Sequence, residues 1–347
     1  MAIQRIVVCE VQVPFIHGGA EYHVRGLLHQ LREHGYRAEL VSIPFKWYPK
    51  QEILAHAAAW RLIDLSEANG EPIDLVIATK FPSYFVRHPN KVVWLIHQYR
   101  AAYELCGTPY SDFTHDDADV GLRQSLIELD AKMLGECRRL FANAQNTANR
   151  LAKYNGLSAE ALYHPPPFAG RLAAGPYGEY VLCVGRLESI KRPELAVRAM
   201  PFVDRPIRLV LVGDGSQRRN IEELTASLGA ADRITITGSV DENRLLDLYK
   251  GALAVVYAPF DEDFGYVTLE SFLARKPVIT TRDAGGPLEF VRDGDNGFVC
   301  DANPEAIAAA INRLAADRRA AASLGDTGYE RARQITWEGV IEKLVAV

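Results

Sequence analysis

The sequence predicts an α/β protein made of two doubly wound, Rossmann-like halves, each with a parallel β-sheet covered by helices. Short apolar runs alternate with helical segments along the chain, and this alternation is typical of parallel sheets that are buried on both faces. The alternation breaks near residues 163–168, where three consecutive prolines cannot continue a helix or a central strand. A chain of 347 residues is also long enough for two domains.

The elements of the first half follow from apolar runs and from helical spacing. Tyr22, Leu27, Leu28 and Leu31 recur at helical spacing, and Gly35 can end that helix because glycine adopts a left-handed cap without strain. The predicted elements are a strand over 6–11, a helix over 20–34, and strands over 38–43, 74–79 and 91–97.

After the prolines the alternation starts again. The predicted strands of the second half span 180–184, 208–212, 234–237, 253–257 and 277–281. A stretch rich in glycine, proline and alanine continues to Gly178 and is assigned to the interdomain linker. We therefore expect an amino-terminal domain over 1–168, a carboxy-terminal domain over 169–330, and a final helix over 331–347. Periodicity leaves open whether that helix, with Trp337, crosses back to the first half.

Bulk properties exclude several classes of protein. The net charge of −5 argues against a general nucleic-acid binder, which usually has a basic surface. No apolar run reaches the ~20 residues of a membrane-spanning helix, and the first residues resemble a strand and not a signal peptide. The five cysteines form no Cys-x-x-Cys pair and are expected to be reduced packing residues. We expect a cytoplasmic protein.

The most informative stretch runs from Asp261 to Glu270. It places Glu262 in a loop before a predicted helix and Glu270 near the first turns of that helix. Gly265, between them, would let the backbone approach a ligand closely. The N–H groups at the start of the helix can bind hydroxyl or phosphate oxygens. This pattern suits a polyhydroxylated, partly anionic ligand such as a nucleotide sugar.

Other suggestive segments follow predicted strands, and ligands bind beyond the carboxyl ends of strands in open parallel sheets. Gly185, Arg186 and Lys191 follow the first strand of the second half, where two cations could bind a diphosphate or could simply be solvated. The segments His17-Gly18-Gly19 and 284–289 could approach phosphates or could be simple turns.

Two further strand ends have open interpretations. The glycines of 213–215 and of Gly238-Ser239-Val240 would permit close approach of a base or a ribose, or serve as tight turns. His97 closes the strand over 91–97 and could contact a sugar hydroxyl, or be a structural histidine.

Two acidic runs match the ligands that hard metal ions prefer, Asp261-Glu262-Asp263 and the segment 115–119. The first lies inside the two-glutamate motif, and the second is a polar loop with no companion cluster. Because two cations and several helix starts can neutralise a diphosphate, we expect no metal and no other cofactor.

Taken together, these motifs resemble the retaining nucleotide-sugar glycosyltransferases of glycosyltransferase family 4, which have the GT-B fold. The resemblance spans almost the whole chain and is densest over 180–299, and the spaced glutamates are its most specific element. It implies two Rossmann-like domains that face each other across a cleft. The catalytic residues that it implies are Glu262, Arg186, Lys191 and His97. The donor-binding residues that it implies are Gly18, Gly19, Gly185, Ser239, Val240, Phe264, Gly265, Tyr266 and Glu270.

The resemblance also implies roles and a reaction. Glu270 would bind the donor ribose, Glu262 would lie by the donor sugar, and Arg186 and Lys191 would hold the diphosphate. The implied activity is metal-independent transfer of a hexose, with retained configuration, from a nucleoside-diphosphate sugar (UDP- or GDP-sugar) to a glycan, glycolipid or small-molecule acceptor. Such transfer serves polysaccharide, glycolipid or natural-product biosynthesis. The alternatives are an epimerase or phosphorylase on the same fold, and an inactive nucleotide-sugar-binding protein.

One segment, residues 45–60, matches no motif of that family. Lys46-Trp47-Tyr48-Pro49-Lys50 mixes aromatic and basic side chains. The family places its acceptor site in the first domain, so the segment is a candidate for acceptor binding or for peripheral contact with the inner face of a membrane. The alternative is a solvated loop.

Overall fold

The protein is described by a computed structural model that covers residues 3–15 and 18–346. The prediction for His17 lies outside these described residues. The chain divides into two compact units, one formed by Met1–Pro167 with Thr336–Val347 and the other by Phe168–Ile335. Each unit contains a six-stranded sheet in which all strand pairs are parallel. The predicted α/β class with two parallel sheets is confirmed.

The strands, in chain order, are β1 Arg5–Gln12, β2 Arg37–Pro44, β3 Glu67–Ala68, β4 Glu71–Pro72, β5 Leu75–Ala78, β6 Lys91–Leu95, β7 Arg139–Ala142, β8 Glu160–Ala161, β9 Tyr180–Val184, β10 Arg208–Val212, β11 Ile234–Ile236, β12 Ala254–Val256, β13 Val278–Thr281 and β14 Gly297–Cys300. The α-helices are α1 Gly19–Glu33, α2 Glu52–Leu62, α3 Asp117–Gly135, α4 Gln145–Asn155, α5 Pro193–Ala199, α6 Arg218–Ser227, α7 Glu242–Gly251, α8 Tyr266–Leu273, α9 Pro304–Ala316, α10 Arg318–Ala332 and α11 Glu338–Val345.

The sheet of the first unit has the strand order β2-β1-β5-β6-β7-β8, and β3 and β4 form a separate antiparallel pair. Its central strands are buried because they are apolar on both faces, as in β5 and β6. One face of the sheet contributes to a cluster with α1, through Val24, Leu27 and Leu31, and the other contributes to a cluster with α2, α3 and α4.

The second sheet has the order β11-β10-β9-β12-β13-β14, so its strand order reverses between β9 and β12. Its core includes strand residues such as Val181 and Leu209 together with Val197 of α5 and Ile307 and Ile311 of α9. The reversal matters because it leaves a crevice at the carboxyl ends of the two central strands.

The final helix belongs to the first unit. Val340, Ile341 and Leu344 of α11 are buried in the cluster that also contains the apolar face of α1. The Trp337 ring lies 6.0 Å from the Trp94 ring. A side chain on Gly26 would collide with Trp337, 2.9 Å from its Cζ2 atom, so this glycine makes room for the indole.

The stretch rich in glycine, proline and alanine that continues to Gly178 lies in the second unit from Phe168 onward. The buried Lys276 ammonium donates to the carbonyls of Gly175 and Pro176, both at 2.9 Å. Arg318 donates to the carbonyls of Tyr177 and Gly178. These cations fix a segment whose composition suggests flexibility.

The segment over 45–60 is not simply a solvated loop. Glu52–Leu62 forms α2, and Ile53, Ala57 and Trp60 on this helix are buried. Phe45 and Trp47 are half-buried against the same core cluster. Tyr48 remains 60% exposed, so it is the aromatic residue here that offers a free surface.

No helix among residues 3–15 and 18–346 is long and apolar enough to cross a membrane.

Candidate active site

The candidate site lies at the reversal of the second sheet. The loop after β9 contains Gly185, Arg186 and Lys191, and the loop after β12 contains Glu262 and leads to Gly265. Because β9 and β12 are neighbours, the two loops meet at the carboxyl edge of the sheet. This position is where open α/β sheets bind ligands.

Lys191 and Glu262 form an ion pair across the two loops. The Lys191 ammonium donates to Glu262 Oε2, and the two side chains are 20% and 15% exposed. The buried Tyr257 hydroxyl also hydrogen-bonds the Glu262 carboxylate, and its pKa is raised well above the usual value by burial first and by the two neighbouring carboxylates, Glu262 and Glu270, second. The pair is therefore shielded but still accessible to a ligand.

Backbone hydrogen bonds fix the loop of Glu262 to the loop after β13. The Glu262 N–H donates to the Ala284 carbonyl at 2.8 Å, and the Gly286 N–H donates to the Glu262 carbonyl at 2.7 Å. The Asp261 N–H donates to the Asp283 carbonyl at 2.8 Å. The Glu262 backbone is thus held on both sides by an adjacent loop.

Gly265 occupies a position that other residues cannot adopt easily. It is the N-cap residue of α8, with φ 84° in the left-handed region. A Cβ atom there would lie 3.0 Å from Pro287 Cγ and 3.1 Å from Tyr257 Cε1. Phe264, just before it, is buried, whereas Tyr266 at the start of α8 is half-buried. Both conformation and space therefore require glycine.

Glu270 is a buried carboxyl group inside α8, with 6% of the residue exposed. Tyr249 Oη on α7 donates to its Oε2 at 2.6 Å. Burial raises the pKa of Glu270 to about 7, and the Tyr249 hydrogen bond acts in the opposite direction. The carboxyl group is consequently able to change its protonation state near neutral pH.

The glycine loops after β9 and β10 approach each other closely. A Cβ atom on Gly213 would lie 1.9 Å from the Gly185 carbonyl oxygen. Arg186, which follows Gly185, is exposed, and its guanidinium forms no ion pair with any residue that the structure describes. A planar, uncommitted guanidinium suits a phosphate group.

The loops after β10 and β11 are joined by the Gly213 N–H, which donates to the Gly238 carbonyl at 2.9 Å. Asp214 is committed within its own loop, because its carboxylate accepts from Arg218 at 2.8 Å and from the Gly215 N–H at 2.8 Å. Ser239 is exposed and Val240 is half-buried beside this junction.

The remaining predicted site residues lie in the first unit. Gly18 caps α1 in an extended conformation with φ −161°, and Gly19 is the first residue of the helix. The Gly18 N–H donates to Glu21 Oε2 at 2.8 Å, and Lys80 Nζ donates to Glu21 Oε1 at 3.0 Å. Lys80 follows β5, and the order of the first sheet reverses between β1 and β5.

His97 lies two residues beyond β6 and is half-buried. Its Nδ1 atom is 2.7 Å from the Gln98 carbonyl oxygen, and its own carbonyl accepts from the Phe81 N–H at 3.2 Å. The backbone contact fixes the position of His97 at the carboxyl edge of the first sheet.

The acidic segment 115–119 is explained by helix capping. Asp116 caps α3 by accepting from the Asp119 N–H at 2.9 Å, and the Asp119 carboxylate pairs with Lys50 at 2.8 Å. Across residues 3–15 and 18–346, no three His, Cys, Asp or Glu side chains are grouped so that they could hold a metal ion. Metal independence of the reaction remains a prediction for experiment.

Sequence reasoning missed several residues that shape both sheet edges. They are Lys80, Tyr249, Arg192 and Asp283. Their partners are set by tertiary packing: Arg192 and Asp283, for example, are 91 residues apart in the chain. The Arg192-Pro193 dipeptide was a signal that Arg192 has a non-helical backbone, because a residue before proline avoids the right-handed helical region.

Comparison with known proteins gives an independent view of this edge. Residues 173–331, which contain the whole site of the second unit, match the family model described as glycosyl transferases group 1. A D-inositol 3-phosphate glycosyltransferase of Acidothermus cellulolyticus is 28% identical over 338 residues, covering 89% of this chain and 75% of that protein.

Two solved structures are similar over nearly the full length. Sucrose-phosphate synthase from Thermosynechococcus elongatus has a TM-score of 0.75 at 20% identity, covering 98% of this chain and 97% of the other. Anabaena HepE, in complex with UDP and glucose, has a TM-score of 0.72 at 17% identity, covering 98% and 100%. The GT-B fold that the sequence predicted is thereby confirmed, and together with the family match it supports a glycosyltransferase.

Proposed function

We propose that the protein is a retaining, metal-independent glycosyltransferase that moves a hexose from a nucleoside-diphosphate sugar to an acceptor hydroxyl. The observation that supports this most is the Lys191–Glu262 ion pair at the β9–β12 reversal, with the exposed Arg186 in the same loop as Lys191. The pair lies in the part of the chain that matches the glycosyl transferases group 1 model.

The cations suit the leaving group. When the bond between the sugar C1 atom and the diphosphate breaks, its electron pair stays on the phosphate oxygen. Arg186 can then bind two phosphate oxygens through its planar fork, and Lys191 can act as a point charge. Fixed donors of this kind stabilise developing charge because they need no reorganisation during the reaction.

Glu262 is suited to the sugar. Its carboxylate accepts from Lys191 and Tyr257, and carboxylate oxygens are also good acceptors for sugar hydroxyls. The backbone at Phe264, Gly265 and Tyr266 can approach the same sugar because Gly265 has no side chain. A carboxylate next to the donor sugar can stabilise the positive charge of an oxocarbenium-like state.

Glu270 is suited to the ribose, whose two hydroxyls can both donate to one carboxylate. Such hydrogen bonds favour the ionised form, so donor binding should release a proton from Glu270 when it is protonated. Since burial raises the pKa of this group to about 7, the affinity for nucleotide should fall as the pH is lowered below about 7.

Retention follows if the acceptor hydroxyl attacks from the face that the diphosphate leaves. The new bond forms between the acceptor oxygen and C1, and the hydroxyl proton passes to the departing phosphate oxygen. No protein side chain then has to act as the general base. The atoms and charges balance with donor and acceptor alone.

The comparisons suggest substrates to test first. The HepE structure contains UDP and glucose, and the Acidothermus cellulolyticus relative is named for D-inositol 3-phosphate. We therefore propose UDP-glucose as the first donor and a phosphorylated polyol as the first small acceptor, beside glycan and glycolipid acceptors.

Contact with an acceptor or with a membrane through residues 45–60 is also a proposal. The exposed Tyr48 ring has Lys46 Nζ 5.1 Å from its centroid, which is a surface of mixed aromatic and basic character. Lys46→Ala with Tyr48→Ala should reduce vesicle binding or acceptor use, and unchanged values for both would remove the proposal.

The experiment is a panel of UDP-, GDP-, ADP- and dTDP-sugars, each with and without EDTA, followed by thermal shift and nucleotide release. Transfer from one donor that is insensitive to EDTA, with a product of the same anomeric configuration by ¹H NMR, supports the proposal. Isomerisation of the donor alone would indicate an epimerase. Binding without turnover on any acceptor would indicate an inactive binding protein, and no response to any donor would contradict nucleotide-sugar use.

A further inference from the structure

The backbone is strained on both sides of the Lys191–Glu262 pair. Five non-glycine residues that the structure describes have positive φ, and two of them are neighbours of this pair. Arg192, with φ 49°, follows Lys191, and Asp261, with φ 43°, precedes Glu262. Aspartate tolerates the left-handed region, but arginine gains nothing there from its own side chain and must be held by contacts elsewhere.

The contacts that hold Arg192 are extensive. Its residue is only 8% exposed. Its guanidinium donates to the carbonyls of Ala258 and Pro259 at 2.9 and 2.7 Å, and to Thr281 Oγ1 at 2.9 Å. It also binds both Asp283 carboxylate oxygens, at 2.8 and 2.6 Å. We call this set of hydrogen bonds the Arg192 clamp.

The Arg192 clamp joins the three loops that form the site. It is anchored after β9, and it ends on the loop after β12 and on the loop after β13. Asp283 connects the two strained residues, since its carboxylate accepts from Arg192 and its carbonyl accepts from the Asp261 N–H. The Arg192 guanidinium holds the pKa of Asp283 below its usual value.

A backbone bond completes the connection, because the Phe260 N–H donates to the Ile190 carbonyl at 2.8 Å. Lys191 therefore lies between a backbone bond at Ile190 and the clamp at Arg192. Glu262 lies next to Asp261, which Asp283 fixes. Ile190 and Arg192 are thus tied to the loop after β12, and Asp261 is tied to the loop after β13.

We propose that Arg192 is a positioning residue that sets the position of Lys191 against Glu262 through its clamp on Asp283. The proposal rests on the proposed function, because it takes Lys191 to act on the donor. Arg192 itself points to the ends of β12 and β13 and does not need to touch the substrate.

The test uses variants of the full chain. Arg192→Ala removes the clamp, and Arg192→Gly removes it while relieving the backbone strain. Arg192→Lys keeps the charge but lacks the planar fork that binds Asp283 at two points. Asp283→Asn weakens the clamp by replacing the carboxylate that accepts from Arg192. Arg219→Ala is the matched control, because Arg219 forms an exposed pair with Glu223 and is 88% exposed.

We expect Arg192→Ala and Arg192→Gly to lower kcat on the donor by about 10- to 100-fold, since a misplacement of ~1 Å can cost that much. Arg192→Lys and Asp283→Asn should lose at least about threefold each, and Arg219→Ala nothing. In a Lys191→Ala background, Arg192→Ala should cost less than about twofold more, because its effect acts through Lys191. A role in folding alone would multiply the two losses.

A second measurement does not depend on activity. Hydrogen exchange of peptides over 258–264 and 281–286 should become faster in Arg192→Ala and in Arg192→Gly than in wild type. If the wild type uses no nucleotide sugar, the proposed function fails while this measurement still tests the clamp. Three results would each overturn the proposal. The first is turnover within twofold of wild type in Arg192→Lys and Asp283→Asn. The others are multiplicative losses in the double variant and unchanged hydrogen exchange in Arg192→Ala and Arg192→Gly.

Discussion

In the first unit a lysine–glutamate pair, Lys80 with Glu21, joins the elements that follow β1 and β5, where the strand order reverses. In the second unit another lysine–glutamate pair, Lys191 with Glu262, joins the loops that follow β9 and β12 at the equivalent reversal. The order of acid and base differs between the two units. In the first unit the earlier strand, β1, leads to the glutamate, whereas in the second unit the earlier strand, β9, leads to the lysine.

The surroundings of the two pairs differ more than their positions. Glu21 also accepts from the Gly18 N–H, and Gly18 has an extended backbone that any residue can adopt. The second pair is flanked by strained residues and by a loop glycine, Gly265, with φ 84°. The first pair therefore completes a helix cap, whereas the second lies in a site that tertiary contacts hold in an uncommon conformation. We infer that the first serves stability and that the second serves chemistry.

The largest expected effect tests the first half of that inference. Lys80→Ala should destabilise the protein by about 3–5 kcal/mol, because it leaves the Glu21 carboxylate buried without its partner. The two side chains are only 9% and 12% exposed. Urea unfolding measures the change, and Lys343→Ala is the control, since its pair with Glu160 is 47% exposed on both sides and should contribute about 0–1 kcal/mol. Equal losses for the two variants would contradict the comparison.

The next effect is the loss of folding stability at higher pH that results from burying the Glu270 carboxyl group in the second unit. The pKa of Glu270 rises from 4.5 to about 7 on burial, so the folded state retains a proton that the unfolded state has lost. Wild-type stability must then fall as the pH rises through the window from 4.5 to 7. Glu270→Gln has no such proton, and its stability relative to wild type should increase by about 3 kcal/mol between pH 4.5 and pH 8.

Denaturant unfolding at several pH values measures this difference. Glu223→Gln serves as the control, because Glu223 is 63% exposed on α6. A difference between Glu270→Gln and wild type that stays flat with pH would show that Glu270 is ionised in the folded protein without cost.

The smallest effect separates backbone strain from steric exclusion. Gly35 and Gly265 have nearly the same φ, 86° and 84°, but an added Cβ meets nothing within 4 Å at Gly35. At Gly265 it would meet Pro287 and Tyr257. Gly35→Ala should cost about 1 kcal/mol from the backbone alone, and Gly265→Ala about 2–3 kcal/mol because overpacking adds to it. Equal losses of unfolding free energy in the two variants, measured by thermal or urea unfolding, would mean that the loop at Gly265 moves to accommodate the added methyl group.

The sequence was informative where composition determines structure. The apolar runs of β1 and β9 predict buried parallel strands because both faces of each strand must avoid water. The strands β7, β8 and β14 were missed because none of them has four consecutive apolar or β-branched residues, whereas the equally short β5 and β13 do.

In the candidate site, too, some residues could be predicted from the sequence and others could not. Glu262, Glu270 and Lys191 could be picked out because they belong to segments that follow predicted strands and contain a glycine, Gly265 or Gly185. Their partners do not stand out: Tyr249 lies within a helix, 21 residues from Glu270, and nothing in the local sequence links it to a carboxyl group. Such contacts depend on how α7 and α8 pack against each other, and the periodicity of the sequence does not predict that packing.

The most direct test of the central claim is the turnover of Lys191→Ala and Arg186→Ala on the donor that the panel selects, with Arg219→Ala as control. If the second unit's ion pair and its neighbouring arginine stabilise the leaving diphosphate, each variant should lose at least about 10²-fold in kcat, as when an oxyanion donor is removed. The control should match wild type. Near-normal turnover in both variants would contradict the assignment of this edge of the second sheet as the active site.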